Sequence, residues 1–364
     1  MHIVIDARIR LASTGKPVER LLEYLQGLDS KNLYTILLAK DDLWQPTAKN
    51  FTAKSCPYPI FSFNPINQIT LALFIARLRP DLVHFTLTGQ QPIFYFGKQT
   101  TFTHDLTMLR FVRPGRLPNW LHKIRMWGYR FLLWQSHKKA EKILVPSEFV
   151  RDDVYKKYLF TRRKIVVTPE ASEPPISASE VEPKDPPTNF LLYVGTAFPH
   201  KNLTKLVDAF AELKLKHPDL KLIFVGKREY HSKQLEKSIK NNPNVNDIIF
   251  TGFIELAELK WYYNRAAVYV FPSLSEGFGL PGLEAMAHGC PVASSNATCL
   301  PEVCKDAAEY FDPENAQDMT KAIQKILGNP KRRAELVANG KKVVAGYSWK
   351  RMVEQTLQVF NDIF

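Results

Sequence analysis

A glycine-rich loop with acidic residues around it lies in residues 271–291, which read FPSLSEGFGLPGLEAMAHGCP. Gly277 and Gly279 allow the backbone to approach a ligand closely, and the N-terminus of a following helix favours a phosphate group. Pro281 has no amide hydrogen and suits the first helical position, so it does not donate. The amides predicted to bind phosphate are those of Phe278, Gly279 and Leu280.

Glu276 stands immediately before this loop, and Glu284 follows it within the first turn of the predicted helix. A carboxylate is a poor phosphate ligand, but its two oxygens are good acceptors for a pair of vicinal hydroxyl groups. Amides that bind a diphosphate, beside acids that bind ribose and hexose hydroxyls, indicate a nucleotide sugar such as a GDP- or UDP-hexose. That molecule would be a donor substrate, so no cofactor is predicted.

The same loop contains a G-x-G-x-x-G string from Gly277 to Gly282, which leaves a nicotinamide or flavin enzyme open. That fingerprint belongs on the first strand-to-helix turn of a domain, whereas this string follows the fourth predicted strand of its half. The sequence has no Asp-x-Asp, no G-x-x-x-x-G-K-[ST] and no G-x-S-x-G. These absences disfavour metal-dependent glycosyl transfer, the common ATP-binding loop and α/β-hydrolase chemistry, and no metal site is predicted.

The elements that must position these residues are short apolar runs alternating with amphipathic stretches. Continuous, β-branched runs are typical of parallel strands that helices cover on both faces. The predicted strands of the first half are residues 2–6, 35–39, 82–85, 99–103, 142–146 and 164–168. Those of the second half are residues 190–195, 220–226, 248–251, 268–271 and 291–294. The alternation predicts a doubly wound α/β fold.

A stretch with five prolines between residues 172 and 187 separates the two series of strands. Because such a stretch cannot be the interior of a helix or strand, we predict a linker over residues 173–188. The predicted domains are two Rossmann-like units over residues 1–172 and 189–345, followed by a C-terminal helix within residues 346–364. Ligands bind at the carboxyl ends of such strands, so a cleft between two facing sheets is expected. One continuous sheet is the alternative.

The motif around Glu276 and Glu284 resembles the signature of glycosyltransferase family 4, and the similarity extends to residues 192–196, 201–202, 300–303 and 310–313. Members of that family are retaining enzymes with the GT-B fold. The resemblance implies two Rossmann-like doubly wound domains facing across a cleft. It also implies that the first domain binds the acceptor, that the second binds the nucleotide sugar, and that the C-terminal helix crosses back to the first.

The resemblance assigns roles to single residues as well. A lysine can neutralise a leaving diphosphate as a compact charge, and Lys201 takes that role. The predicted catalytic residues are His104, Lys201 and Glu276. The predicted donor-binding residues are Gly15, Thr196, Lys201, Phe278, Gly279, Leu280 and Glu284. Many relatives have arginine where this chain has Thr196 and His200, so a non-catalytic partner or scaffold of the same fold is the alternative.

The chain of 364 residues has a formal net charge of +13, and this excess is confined to its first half. Residues 1–172 hold 26 basic and 13 acidic residues, whereas the remainder holds 23 of each.

Residues 110–142 combine nine basic residues with tryptophan, tyrosine and phenylalanine. An anionic membrane surface beside a lipid-linked acceptor would suit this segment. Nucleic acid and a core helix with inward-facing aromatics are the alternatives, and no nucleic acid partner is expected.

The sequence as a whole predicts a metal-independent hexosyltransferase, and the resemblance implies that it retains the anomeric configuration. It would move a hexose from a nucleotide-diphospho-sugar to a saccharide or lipid-linked acceptor in envelope polysaccharide or glycolipid synthesis. Four scattered cysteines and the absence of a long apolar run predict a cytoplasmic protein, or one peripheral to the inner face of the membrane.

Overall fold

The structure is a computed structural model, which describes residues 1–12, 14–111, 119–173 and 176–364 except for the side chains of Asn119 and His122. The chain divides into two compact units. Unit 1 comprises Met1–Glu170 and Ser348–Phe364, and unit 2 comprises Ala171–Tyr347.

The described part of residues 1–170 forms seven strands and five α-helices. The strands are β1 (His2–Asp6), β2 (Leu33–Leu38), β3 (Phe51–Ser55), β4 (Leu82–Phe85), β5 (Gln99–Phe102), β6 (Lys142–Val145) and β7 (Ile165–Val167). The helices are α1 (Lys16–Leu28), α2 (Pro65–Ala76), α3 (Thr107–Arg110), α4 (Asn119–Lys139) and α5 (Glu148–Lys157).

Six strands and seven α-helices lie in the part of unit 2 that the structure describes, and one further helix follows it in the chain. The strands are β8 (Phe190–Val194), β9 (Lys221–Val225), β10 (Ile248–Gly252), β11 (Val268–Phe271), β12 (Val292–Ser295) and β13 (Ala308–Phe311). The helices are α6 (Leu203–Lys214), α7 (Tyr230–Ser238), α8 (Leu256–Arg265), α9 (Leu280–Ala287), α10 (Leu300–Cys304), α11 (Ala316–Leu327) and α12 (Pro330–Ala345). The last helix, α13 (Trp349–Asn361), belongs to unit 1.

The sheet of unit 1 has the order β3-β2-β1-β4-β5-β6-β7, and all of its pairs are parallel. Alternate residues of a strand point to opposite faces. Ile143 and Val145 pack with residues of α4 and α5 on one face, while Leu144 packs with Val359 of α13 on the other. Helix α13 also packs against α1, and Ser348 caps its first turn by accepting a hydrogen bond from the Arg351 amide.

The sheet of unit 2 has the order β10-β9-β8-β11-β12-β13, and again every pair is parallel. One face carries the main core, in which Leu222 and Val270 pack with apolar residues of α6 and α11. On the opposite face the Phe190 ring stacks on Trp261 of α8. With helices on both faces of each parallel sheet, the predicted fold class of two Rossmann-like doubly wound domains is confirmed, and the alternative of one continuous sheet is wrong.

The predicted strands match observed strands to within two residues at each end, and two edge strands were missed. β3 has the sequence FTAKS and only one buried residue, so it lacks the continuous apolar run that marked the others. The described part of the predicted linker packs on α8, because Lys260 donates to the Ala178 carbonyl over 3.0 Å and the Val181 amide donates to that of Ala257. Residues 174–175 of that linker lie outside the described residues.

Candidate functional site

The site of unit 2 forms where two neighbouring central strands end. β8 and β11 pair in the middle of the sheet, where strand order reverses, and a doubly wound fold binds ligands at this point. The loops that follow these strands are joined by hydrogen bonds. The Leu274 amide donates to the His200 carbonyl over 2.8 Å, and the Asn202 side chain donates to Pro272 over 3.2 Å. The two predicted motifs therefore lie side by side.

Lys201 and Glu276 face each other across these loops. The Lys201 ammonium donates a hydrogen bond of 2.5 Å to Oε1 of Glu276, and both side chains are largely buried. The Glu276 amide donates to Oγ1 of Thr298 over 3.1 Å, which fixes the backbone just before the glycine loop. The site thus combines one cation and one carboxylate in a partly desolvated position, where electrostatic interactions are stronger than in water.

The glycine loop ends at Gly279, which adopts a left-handed conformation with φ of +103°. A Cβ atom at this position would lie 2.8 Å from Cδ2 of Leu300, so both the backbone angle and the space require glycine. Helix α9 begins at the next residue, Leu280. Among the described residues, no acceptor pairs with the amides of Phe278, Gly279 and Leu280. These amides can receive an anion at a helix N-terminus.

Glu284 is the fifth residue of α9 and therefore lies in its second turn rather than in the first turn as predicted. Pro281 was predicted as the first helical residue, whereas the helix begins one residue earlier, at Leu280. Oε2 of Glu284 accepts a hydrogen bond of 3.3 Å from the hydroxyl of Tyr263 on α8. Sequence reasoning missed Tyr263, because no spacing rule connects a buried helix tyrosine to an acid 21 residues away.

The carboxyl ends of β8 and β9 approach each other too closely for side chains. Gly195 has φ of +143°, and a Cβ atom on Gly226 would lie 2.3 Å from the Gly195 carbonyl oxygen. Thr196, a predicted donor-binding residue, follows directly, and its carbonyl accepts a 3.2 Å hydrogen bond from the Tyr193 hydroxyl. Burial, and then the charge of Glu276, raise the pKa of Tyr193. Tyr193 was also missed from sequence, and its hydroxyl contacts the loop that follows β8.

In unit 1, His104 follows the carboxyl end of β5 as predicted. Its Nε2 lies 3.1 Å from the Thr86 carbonyl oxygen, and its Nδ1 lies 3.4 Å from Oε1 of the nearly buried Glu170. A carbonyl oxygen can only accept, so Nε2 donates in its contact with Thr86. Asp105 caps the following turn, because Oδ1 accepts from the Thr107 amide over 2.7 Å. Sequence reasoning did not anticipate Glu170, which lies two strands away.

Gly15 immediately precedes α1, with φ of −82°, which any residue can adopt. A Cβ atom there would lie 2.0 Å from the carbonyl oxygen of Arg10. A side chain at this position would therefore clash with the backbone of the preceding loop, at Ile9 and Arg10. Gly15 was predicted to approach a diphosphate, and the loop geometry accounts for the glycine without one.

Helix α4 of unit 1 exposes the aromatic stripe that the sequence singled out. Its exposed apolar side chains are Trp120, Ile124, Trp127, Phe131 and Trp134. Arg125 and Arg130 are exposed beside them, and the Lys138 ammonium lies 4.8 Å from the centre of the Trp134 ring. The alternative of a core helix with inward-facing aromatics is therefore wrong for these five residues. Residues 112–118 of the basic and aromatic segment 110–142 lie outside the described residues.

No group of three or more His, Cys, Asp or Glu side chains among the described residues is placed to hold a metal ion. No described helix is both long enough and apolar enough to cross a membrane.

Comparison with known families matches both units. The family described as Glycosyl transferases group 1 matches residues 176–343, and the one described as Glycosyltransferase Family 4 matches residues 23–171. The first match lies within unit 2, and the second ends one residue beyond the first segment of unit 1.

Among curated proteins, the chain is 29% identical over 278 residues to the O-antigen chain mannosyltransferase B of Escherichia coli, covering 72% of this chain and 69% of that protein. Sucrose-phosphate synthase from Thermosynechococcus elongatus has a similar fold, with a TM-score of 0.79, 18% identity, and coverage of 100% and 99% of the two chains. HepE from Anabaena, solved in complex with UDP and glucose, gives a TM-score of 0.72 at 14% identity and full coverage of both chains. These structures show the two-domain fold alone.

Proposed function

This chain is a group 1 glycosyltransferase of family 4, and from that premise we propose that it transfers a mannosyl residue from a nucleoside-diphospho-sugar to a saccharide or lipid-linked acceptor. Glycosyl transfer is the activity of the family. The mannosyl group and a place in envelope polysaccharide synthesis are suggested by the O-antigen mannosyltransferase that the chain resembles.

The observation that carries the proposal is the convergence of Lys201, Glu276 and the glycine loop beyond the carboxyl ends of the central strands β8 and β11. When the bond between sugar C1 and the diphosphate oxygen breaks, negative charge develops on the diphosphate. The Lys201 ammonium and the amides of Phe278, Gly279 and Leu280 would stabilise that charge. Glu276 would then accept hydrogen bonds from sugar hydroxyls, and Glu284 from those of ribose.

We propose a reaction that needs no metal ion, because the lysine, the loop amides and the N-terminus of α9 together supply positive charge for the leaving group. Retention of the anomeric configuration is proposed on the family resemblance. The proposed catalytic residues are Lys201 and Glu276 in unit 2 and His104 in unit 1. Thr196 and Gly15 remain proposed donor-binding residues.

We also propose that unit 1 binds an anionic membrane surface through the exposed face of α4. Tryptophan and phenylalanine favour the interface between water and lipid, and neighbouring Arg125, Arg130 and Lys138 attract anionic headgroups. The excess of basic residues in the first half of the chain adds to this attraction. The protein would act on the cytoplasmic side of the membrane, where a lipid-linked acceptor is presented.

The test is a donor panel assayed with the full chain. GDP-mannose, UDP-glucose and ADP-glucose are incubated with the protein and a lipid-linked saccharide fraction, and released nucleoside diphosphate is measured. We expect release with GDP-mannose that survives EDTA and is lost in Glu276→Ala. Failure of every nucleotide sugar to bind or to react contradicts the proposal. NMR of the anomeric proton in the product tests retention.

A further inference from the structure

A buried tyrosine hydroxyl lies directly beneath one of the two acids of the site. Tyr263 on α8 is 1% exposed, and its hydroxyl lies 3.3 Å from Oε2 of Glu284 on α9. Glu284 itself is half-exposed at the surface of the unit. The tyrosine thus reaches the carboxylate from the interior of unit 2.

The direction of this hydrogen bond follows from protonation. Burial, and then the negative charge of Glu284, raise the pKa of Tyr263 well above its ordinary value. The phenol therefore keeps its proton near neutral pH, and a carboxylate can only accept. Tyr263 therefore donates to Glu284 in a charge-assisted hydrogen bond whose donor is buried.

The Tyr263 ring is held from its other side by His288. The two rings are stacked, with centroids 5.2 Å apart and planes 12° apart. Nε2 of His288 accepts from the Ile176 amide over 3.3 Å, so Nδ1 carries the proton and donates to Oδ1 of Asn264 over 3.0 Å. The imidazole cannot rotate without losing both bonds, and it fixes the plane of the tyrosine ring.

We propose that Tyr263 is a positioning residue that aims the Glu284 carboxylate at the ribose diol of the bound nucleotide. This inference rests on the proposed function, in which Glu284 accepts from ribose. A carboxylate that receives two vicinal hydroxyls must hold one rotamer, and a glutamate has three rotatable side-chain bonds to restrict. Tyr263 supplies that restriction through Oε2.

The test compares ribose-dependent binding in matched variants of the full chain. Dissociation constants are measured for GDP and UDP and for their 2′,3′-dideoxy forms, and thermal unfolding verifies that each variant folds. We expect the wild type to prefer the ribose form, and Glu284→Gln to lose that preference. Tyr263→Phe should reduce the preference roughly five- to tenfold with unchanged affinity for the dideoxy form. The double variant Tyr263→Phe/Glu284→Gln should show the same loss of ribose preference as Glu284→Gln alone.

Tyr262→Phe is the control, since it removes the hydroxyl of the adjacent buried tyrosine, whose ring packs edge-on against Phe190. Tyr262→Phe should leave the preference for the ribose form of the nucleotide unchanged. The inference is overturned if Tyr263→Phe keeps the wild-type preference while Glu284→Gln loses it, or if Tyr263→Phe weakens both nucleotide forms equally. Absence of binding of either nucleotide to the wild type would instead remove the proposed function, and the inference with it.

Discussion

Lys201 and Glu276, 75 residues apart in the sequence, form an ion pair of 2.5 Å between the loops that follow the central strands β8 and β11. Each group neutralises the other while the site is without a donor. We propose that an arriving diphosphate would compete with the Glu276 carboxylate for the ammonium. The freed carboxylate would then accept hydrogen bonds from the sugar hydroxyls, so that Lys201 binds the diphosphate end of the donor and Glu276 the sugar end.

Lys201→Ala removes the only side-chain cation that we place on the leaving group. We expect kcat to fall by roughly 10²–10³-fold, as is typical when one preorganised charge-stabilising group is lost. Lys205→Ala is the matched control, because Lys205 lies on α6 of the same unit and pairs only loosely with Asp208 at 3.8 Å. Equal activity of the two variants with a nucleotide sugar would count against the assigned role.

Gly279→Ala places a side chain where the backbone and the packing both exclude one. The positive φ and the 2.8 Å approach to Leu300 predict a loss of about 1–3 kcal/mol in the free energy of unfolding, together with weaker nucleotide binding. Urea denaturation and nucleotide titration measure the two effects. Gly27→Ala in α1 is the control, since a Cβ atom there meets nothing within 4 Å. That change should stabilise unit 1 slightly, and a neutral Gly279→Ala would refute the packing argument.

Unit 1 should lose stability in mild acid because of two buried histidines. Burial, and then the nearby His104, lower the pKa of His84 to about 3, while burial lowers that of His137 to about 4. The unfolded chain binds these protons below about pH 6.5 and the folded chain does not. Stability therefore falls between about pH 6.5 and pH 4, by roughly 1.4 kcal/mol per pH unit for each histidine.

Urea denaturation at about pH 7 and at about pH 5 measures this loss, and His137→Gln should shrink it by roughly 2 kcal/mol. The glutamine can still reach Thr103, which lies 3.0 Å from Nε2 of His137. His217→Gln in a half-exposed loop of unit 2 should leave the loss unchanged. The explanation fails if both variants show the pH dependence of the wild type.

Trp127→Ala should weaken binding to vesicles that contain phosphatidylglycerol, because an indole that is 71% exposed contributes apolar area at the lipid interface. A loss of about tenfold in the partition coefficient is expected, measured by co-sedimentation at low and high salt. Phe253→Ala in unit 2 removes a ring of similar exposure, 68%, and should change nothing. Similar losses in both variants would indicate nonspecific adsorption.

The elements and the glycine loop were predictable because their signals are local. A continuous apolar run marks a buried strand, and the spacing of glycine, proline and acid marks a loop that enters a helix. Tyr263, Thr298 and Glu170 were not predictable, since each contacts its partner across sequence distances that only the fold closes. Helix α4 shows a third case. Its stripe of aromatic residues is compatible with a core helix and with a surface helix. Only the packing of the neighbouring elements determines that these side chains are exposed.

The return of α13 to unit 1 has a consequence for synthesis on the ribosome. The whole of unit 2 is translated between β7 and α13, and unit 2 is one uninterrupted segment of chain. Its sheet can be completed while Phe102 and Leu144 of unit 1 still lack Val359, the α13 residue that packs with them. The domain that starts first is therefore finished last, and a nascent chain carries an uncovered apolar sheet face until α13 emerges.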